Sequence, residues 1–506
     1  MPGFANTTLR LLRRLLGSPS STQGPYAGTA TVMDGHTAVA VTEAGFSDAA
    51  GLGASFPAEF ADLAWRNEQW RQPVNQLGAP LSTQKAEGVR GALAASIGMA
   101  MSGLRATSFL SGTDLVQAGD LLTVAAGRRL PLVIHVSARA LAGHAPALGS
   151  GHESFHLAAD SGCFQFMAAN VQEAVDFSLI ARRVAEQSLL PGLVGMDSEQ
   201  TALALQEVRL PPTGLVKRYL GQPDDVIAST TPAQQLLLGK ERRRVPRWHN
   251  PDRPVMLGGL QATEVWGQAK AAGRVFFDDT LSTCLDDAFD RFAKQTGRHH
   301  RLLSSHRVED ATLILVAQGG VIETLEALAD YLRDNHRLKV GVLGIRCLRP
   351  FPGGEIVRHL SHCPRVCVLE RTDTPLASDP PLLREVRAAL DHGYENEGFG
   401  TDADVDYPAI KAHQHPRIVS VIYGLGGLPL RGADLLALCL NLDAIKRPQV
   451  YLGVNFSPLS SDYPKRQVLL DRLRRSYPDI TDLGLHDEAA SPELRPKDAL
   501  TLVLHR

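Results

Sequence analysis

The sequence reads as an α/β protein made of two doubly wound domains, and three observations predict it. Short continuous apolar runs, such as residues 132–138 (LVIHVSA) and 311–316 (ATLILV), are of the kind buried on both faces of a parallel sheet. Amphipathic helical stretches follow them, as in residues 322–336, where Leu325, Leu328, Tyr331 and Leu332 share one face. The alternation halts at a proline-rich interval and then restarts, which divides a 506-residue chain too long for one core.

Taken in order, residues 1–30 form a flexible N-terminal segment, because 18–30 is rich in Gly, Ser, Thr and Pro. Within it, residues 7–16 (TTLRLLRRLL) are basic, amphipathic and free of acidic residues, a pattern shared by organelle transit peptides and by plain surface helices. The first domain covers residues 31–202. Its Ala-rich stretch 34–52, with Asp34 or Thr37 as a cap, predicts a helix. Residues 88–103 predict a second, small-residue helix, followed by a strand at 105–110, a helix at 113–127, strands at 132–138 and 164–168, and a helix at 171–186. Residues 203–253 read as an interdomain connection, punctuated by Pro211, Pro212, Pro223, Pro232, Pro246 and Pro251. The basic run at 240–244 (KERRR) has the character of a solvated surface. The second domain, 254–506 with its C-terminal extension, repeats the pattern: strands at 311–316, 339–347, 365–369 and 418–423 alternate with helices at 322–336, 354–360, 381–390 and 433–440.

Composition narrows the function classes. The chain is 44% hydrophobic and 21% charged, and its 52 basic and 54 acidic residues leave a formal charge of −2, with no electrostatic footprint for nucleic acid or an anionic membrane. No run of 18 apolar residues suggests a membrane-spanning helix. The six cysteines, Cys163, Cys284, Cys347, Cys363, Cys367 and Cys439, lie scattered in apolar contexts, as expected of reduced thiols in a cytoplasmic protein. None forms the tight CxxCxxC run that a four-iron cluster draws on. Any electron-carrying cluster is therefore expected on another chain.

Six short stretches carry a resemblance. Residues 135–145 (HVSARALAGHA) resemble the HVTARAIAAHA segment of the pyruvate:ferredoxin oxidoreductases, with Gly151–His152–Glu153 and Val171–Gln172–Glu173–Ala174 following at that family's spacing. Upstream, Met33–Asp34–Gly35–His36–Thr37–Ala38 resembles the family's MDGNTA. Downstream, Leu348–Arg349–Pro350–Phe351 resembles YRPF, Leu369–Glu370–Arg371–Thr372 resembles LDRT, and Tyr423–Gly424–Leu425–Gly426 resembles RYGLGS. Ordered matches from about 33 to 430 are far more specific than any one alone. The resemblance implies that the first domain is similar to the pyrimidine-binding domain of thiamine-diphosphate enzymes and the second to a transketolase C-terminal domain. It also implies an α-type portion of a 2-oxoacid:acceptor oxidoreductase, with thiamine diphosphate and Mg at an interface and the iron–sulfur clusters on partners. The implied partners of this hetero-oligomer are a diphosphate-binding β-type subunit, a γ-type subunit and a ferredoxin-like subunit, with a 2-oxoacid and coenzyme A as reactants.

Candidate site residues follow from the same alignment. Arg139, just past a strand, is suited to hold a 2-oxoacid carboxylate by charge-assisted hydrogen bonds, and the matching family arginine contacts pyruvate; its alternative role is pairing with a carboxylate between domains. His144 and His152 are placed to line the same cleft or to serve as structural histidines. Two departures stand out. The family loop YPITPSS aligns with residues 53–59, so the substrate-contacting threonine falls on Phe56. Thiamine activation also needs a carboxylate against the aminopyrimidine ring. The family presents it as the glutamate of SEAG, and counting back from Gly98 and Gly103 puts that position on Val89. Glu87, two residues earlier, is the catalytic candidate if an insertion or a loop intervenes, since on a helix it would turn toward the opposite face. A GDG-type diphosphate and magnesium motif is absent from the sequence. Oxidative decarboxylation of a 2-oxoacid is the leading expectation, with a catalytically silent structural subunit or a non-oxidative thiamine-dependent decarboxylase as alternatives.

Overall fold

A computed structural model describes residues 24–250, 252, 259–399, 406–457, 463–495 and 499. The basic stretch at 7–16 lies outside the described residues. In chain order the strands of the first part are β1 (Thr29–Met33), β2 (Ala49–Leu52), β3 (Ser82–Lys85), β4 (Ala106–Ser111), β5 (Val133–Ala138), β6 (Phe164–Ala168), β7 (Gly192–Asp197), β8 (Gln206–Leu210), β9 (Val226–Ala228) and β10 (Glu241–Arg243). Those of the second are β11 (Leu303–His306), β12 (Leu313–Gln318), β13 (Val340–Ile345), β14 (Cys347–Arg349), β15 (Arg365–Glu370), β16 (Arg417–Ile422), β17 (Gln449–Leu452) and β18 (Gly484–Leu485).

Two seven-stranded sheets result, ordered β14-β6-β7-β5-β4-β2-β3 and β11-β13-β12-β15-β16-β17-β18. Each is parallel except for one edge strand, β14 in the first and β11 in the second. The expected α/β class with two doubly wound sheets is what the chain adopts, with one exchange between them: β14 leaves the second domain's sequence and pairs with β6 of the first sheet. The stretch 339–347, expected as one strand, is thus split at Arg346.

Where chain direction reverses fixes where a ligand fits. From β2 the chain passes through the helix Glu59–Arg71 to the edge strand β3, then crosses back through the helix Val89–Met101 to β4 on the other side of β2. A crevice therefore opens at the carboxyl ends of β2 and β4, the place where open α/β sheets take ligands.

Three expectations are corrected. The helix expected over 34–52 is Gly35–Phe46, capped by the Asp34 side chain on Thr37 N–H, and residues 49–52 are strand β2. Ala49 to Leu52 are small or apolar and fully buried, so alternation was invisible there. The flexible segment set at 1–30 gives way at Thr29 to β1, which pairs antiparallel with β8.

The third correction concerns residues 203–253, which do not span freely between domains. Besides the pairing of β8, Trp248 is buried and its N–H donates to Met101 O. The helix Leu281–Thr296 then packs on the helix Val171–Ser188, burying Leu285, Phe289 and Phe292 beside Phe166 and Phe177. Residues 281–296 thus share a core with the first sheet. Two of the prolines in the 203–253 interval stand at helix starts, Pro212 as N-cap and Pro232 in the first turn. The KERRR run is likewise not simply solvated: buried Arg242 donates to the carbonyls of Arg243, Arg244, Glu186 and Gln187.

Candidate active site

The carboxyl ends of three neighbouring strands, β2, β4 and β5, converge on one wall. After β5, half-buried Arg139 donates from Nε to Ala147 O at 3.0 Å and from Nη1 to Phe56 O at 3.2 Å. Its guanidinium carbon stands 5.5 Å from the centroid of the Phe56 ring, after β2, a cation–π distance. No carboxylate pairs with Arg139 among the described residues, and Nη2 makes no hydrogen bond there. The structure therefore joins two of the expected residues, Arg139 and Phe56, and does not place Arg139 in an interdomain ion pair.

The loop that carries Phe56 is held by β4. Ser55 N–H and Oγ donate to the two oxygens of Asp114, at 2.8 and 2.7 Å, and Ser55 Oγ lies 2.8 Å from Ser111 Oγ. Ser111 and Asp114 form a reciprocal capping box at the start of the helix Gly112–Gln117, which fixes the acceptors before the loop arrives. Ser55 thus keeps a hydroxyl one residue from the position where the family threonine falls.

Beyond β2 lies a cavity of about 320 Å³ lined by Gly53, Ala54, Asp62, Arg66, Lys85 and Glu87, among others. Glu87 is exposed on the loop between β3 and the helix Val89–Met101, so it is not helical and not turned to a helix's far face. Val89 opens that helix and is 4% exposed, in the apolar cluster of Leu93, Leu110 and Leu115. The carboxyl group that sequence reasoning missed is Asp62. Its Oδ2 accepts from Gly53 N–H at 2.8 Å and Ala54 N–H at 2.9 Å, while Oδ1 is buried without a partner. Burial, partly offset by those two N–H groups and reinforced by Asp114, pushes its pKa up to about 7. A larger cleft, about 450 Å³, opens beside Phe60, Leu63, Leu203 and Leu205, and none of the expected site residues lines it.

The two histidines part company. His144 is exposed on the loop 141–148, with no hydrogen bond among the described residues. His152 is buried in the seam between the two sheets, where its Nε2 is 2.8 Å from Asp197 Oδ1 and its Nδ1 is 3.0 Å from Gln318 Nε2. Gln318 Nε2 also lies 3.1 Å from His156 Nε2. The amide can donate to both rings if His156 is neutral, and burial does hold the His156 pKa down to about 3. Arg371, from the end of β15, completes the seam on Glu199 and Gln200.

Comparison with known proteins gives the following. The family model described as pyruvate flavodoxin/ferredoxin oxidoreductase, thiamine diphosphate-binding, matches residues 68–281, and that for core domain II of pyruvate:ferredoxin oxidoreductase matches residues 311–404. The chain is 27% identical over 399 residues to a pyruvate-flavodoxin oxidoreductase of Nostoc sp., covering 78% of this chain and 31% of that protein. It spans about a third of the length of the first such relatives. It is 28% identical over 345 residues to pyruvate synthase subunit PorA of Pyrococcus furiosus, covering 68% of this chain and 76% of that subunit. A solved 2-oxoglutarate:ferredoxin oxidoreductase from Magnetococcus marinus, with 2-oxoglutarate, coenzyme A and succinyl-CoA bound, shares the fold at a TM-score of 0.50 and 15% identity, over 78% of this chain and 63% of that one.

Proposed function

The chain belongs to the pyruvate:ferredoxin oxidoreductase family, and on that premise we propose that it is the α-type portion of a 2-oxoacid:acceptor oxidoreductase, contributing one wall of an interfacial thiamine-diphosphate site. The observation that carries this reading is Arg139: a half-buried guanidinium at the carboxyl end of β5, in the family's own motif, without a counter-charge. A half-buried cation with one nitrogen free favours an arriving anion, and the planar fork suits the carboxylate of a 2-oxoacid. Backbone carbonyls of Phe56 and Ala147 orient two of its nitrogens and leave Nη2 for the substrate. The Phe56 ring, 5.5 Å from the guanidinium carbon, adds a cation–π contact that helps hold the fork in place.

Thiamine diphosphate supplies, when bound, the stabilised carbanion that decarboxylation of a 2-oxoacid requires. The donor set supports its presence: a cavity with a buried, unpartnered carboxyl oxygen on Asp62 suits a ring that offers nitrogen and amino groups. In this reading the diphosphate and Mg are held by a β-type portion of the assembly and the clusters by a ferredoxin-like one. Coenzyme A is the acyl acceptor in this reading. One observation favours the silent structural subunit instead, namely Val89 sealed in the core at the activating position.

The test is to isolate the intact assembly through a tag on this chain, then to measure its thiamine diphosphate, its iron and 2-oxoacid-dependent reduction of a low-potential dye. All three are expected in the assembly, while the chain alone should hold neither iron nor cofactor. An assembly free of thiamine diphosphate that reduces no dye overturns the reading.

A further inference from the structure

We infer that Glu199 is a positioning residue for the 2-oxoacid site, the carboxylate through which Arg371 of the second sheet fixes the loop that aims the Arg139 guanidinium. The inference rests on the reading of Arg139 above and deepens it. Arg139 follows β5, and the chain makes an excursion over residues 141–148 before it returns beside its own start. The return is a short antiparallel ladder: Ala140 N–H donates to Gly149 O at 2.9 Å, Gly151 N–H donates to Ala138 O at 3.0 Å, and Ser150 pairs with Arg139. The excursion carries Ala147, whose carbonyl accepts from Arg139 Nε at 3.0 Å. The aim of the fork therefore depends on where residues 149–151 are held, since they support both the Arg139 backbone and the loop that supplies this carbonyl.

Ser150 is buried, and Glu199 holds it. One carboxylate oxygen, Oε2, accepts from the N–H and from the hydroxyl of Ser150 at 2.5 Å each, and the other, Oε1, accepts from Arg371 Nη2 at 2.5 Å. Arg371 is held in its turn. Its Nη1 donates to Gln200 Oε1 at 2.7 Å, and its carbonyl accepts from His152 N–H, two residues past Ser150, at 3.2 Å. The glycine turn after β16 packs on both ends of this chain of contacts. A Cβ at Gly424 would lie 2.8 Å from Arg371 Nε, and one at Gly149 would lie 2.4 Å from Gly427 Cα, so neither contact has room for a side chain.

The chain of contacts requires a carboxylate. Both Glu199 oxygens face donors, a guanidinium on one side and an N–H with a hydroxyl on the other, and charge-assisted hydrogen bonds of this kind are roughly twice as strong as neutral ones. A glutamine has one acceptor and one donor end. Whichever way it turns, its NH2 faces either Arg371 or the Ser150 N–H, so one link breaks while size and shape are kept. The hydrogen bonds of Glu199 go to Ser150 and Arg371 and, among the described residues, none goes to Arg139, so its effect on a bound carboxylate passes through the loop.

The experiment is a double-mutant cycle on the intact assembly, with Glu199→Gln and Arg139→Ala alone and together. KM and kcat are read with whichever of pyruvate, 2-oxoglutarate and 2-oxoisovalerate is used best. Glu199→Gln alone should raise KM about tenfold and leave kcat within about twofold, the effect of a binding group that is present but misaimed. In the Arg139→Ala background the same change should move KM by less than about twofold, because no fork is left to aim. Ser150→Ala removes the hydroxyl link and keeps the N–H, so it should raise KM about two- to threefold, again only where Arg139 is present; it gives the answer by itself if Glu199→Gln blocks assembly. The concentration of the same 2-oxoacid that half-protects Arg139 from phenylglyoxal, read by peptide mass spectrometry, should rise in step with KM. A KM change of equal size in both backgrounds, a fall in kcat with KM unmoved, an unmoved half-protection, or no effect of either substitution means that Glu199 serves the seam alone; each overturns the positioning role and leaves the Arg139 reading standing. A KM untouched by Arg139→Ala, or no turnover of any of the three acids, overturns both.

Discussion

The seam between the two sheets and the crevice beside β2 are built from the same kinds of residue, yet they treat charge in opposite ways. In the seam Arg371 meets Glu199 Oε1 at 2.5 Å, Gln200 Oε1 at 2.7 Å and Asp197 Oδ1 at 3.7 Å, and Asp197 Oδ2 also accepts Gly320 N–H at 2.6 Å. Glu199 reaches back to the N–H and hydroxyl of Ser150, the bridge partner of Arg139. In the crevice, among the described residues, Arg139 lacks a counter-charge and one Asp62 oxygen lacks a hydrogen-bond partner. Buried ionisable groups that are matched hold a fold together, and those left unmatched at a strand's carboxyl end are held ready for something that binds.

The largest effect should come from breaking the matched side. Arg371→Leu removes the guanidinium from Glu199, from Gln200 and from the neighbourhood of Asp197, which keeps His152 and the Gly320 N–H, so we expect a loss of about 2–3 kcal/mol from the buried guanidinium's lost contacts. Urea denaturation followed separately by tryptophan fluorescence and circular dichroism checks this. Destabilisation under 1 kcal/mol would show that the seam is not an ionic lock.

Next in size is a difference in sign with pH. His156 has its pKa held down to about 3 from 6.5, so the stability it lends is complete above 6.5 and is lost as pH falls through 3. Burial raises the pKa of Asp197, but His152, Arg371 and the Gly320 N–H more than offset it, so that group too loses stability toward acid. Asp62 runs the other way: raised from 3.8 to about 7, it favours the fold at low pH and loses that contribution as pH rises through 7. In thermal melts of the isolated chain, His156→Asn should blunt the acid fall and Asp62→Asn the decline between pH 4 and 7. Identical profiles for both variants and wild type would remove the contrast.

Most of the scaffold was legible because its core strands are apolar over their whole length. Strand β6 and the helices at Val171–Ser188 and Val321–His336 lie within two residues of the expected ranges. Strand β3 was missed because Ser82–Lys85 is a polar edge strand with no apolar alternation. Strand β7 was missed because Gly192 and Gly195 dilute its apolar run. Those glycines are required by packing: a Cβ at Gly192 would lie 2.3 Å from the Phe164 ring, and one at Gly195 would lie 2.8 Å from Met167 Sδ. The site was half legible. Motif spacing pointed to Arg139 and Phe56, which lie within a cation–π distance, and left His152 between the same cleft and a structural role; it lies in the seam. Asp62 carried no motif; what singles it out is an unmatched oxygen, which no spacing encodes.

Val89→Glu sharpens the crevice from its dry side. At 4% exposure the new carboxylate would enter an apolar cluster without a donor, and we expect a cost of about 2–3 kcal/mol in stability. A variant as stable as wild type would mean that the start of the helix opens toward the cavity. Arg139→Ala should be comparable in binding rather than in folding: about 2–3 kcal/mol in kcat/KM for the 2-oxoacid, with Arg139→Lys restoring only part because an ammonium lacks the planar fork. Unchanged kinetics in both would place the carboxylate site elsewhere.

The smallest expected effect is the most discriminating. Glu87→Gln removes a charge from an exposed loop that caps nothing and pairs with nothing among the described residues, so stability should change by less than about 0.5 kcal/mol. Activity of the assembly should stay within about twofold if Glu87 serves no cofactor, and fall about 10²- to 10⁴-fold if it is the positioned acid–base group. Glu87 shares that cavity with Asp62, so the two substitutions sample one space from opposite walls. A large loss at Glu87 would mean that the loop between β3 and the following helix folds inward when partners assemble, which would make the crevice a site completed by its neighbours rather than one set by this chain.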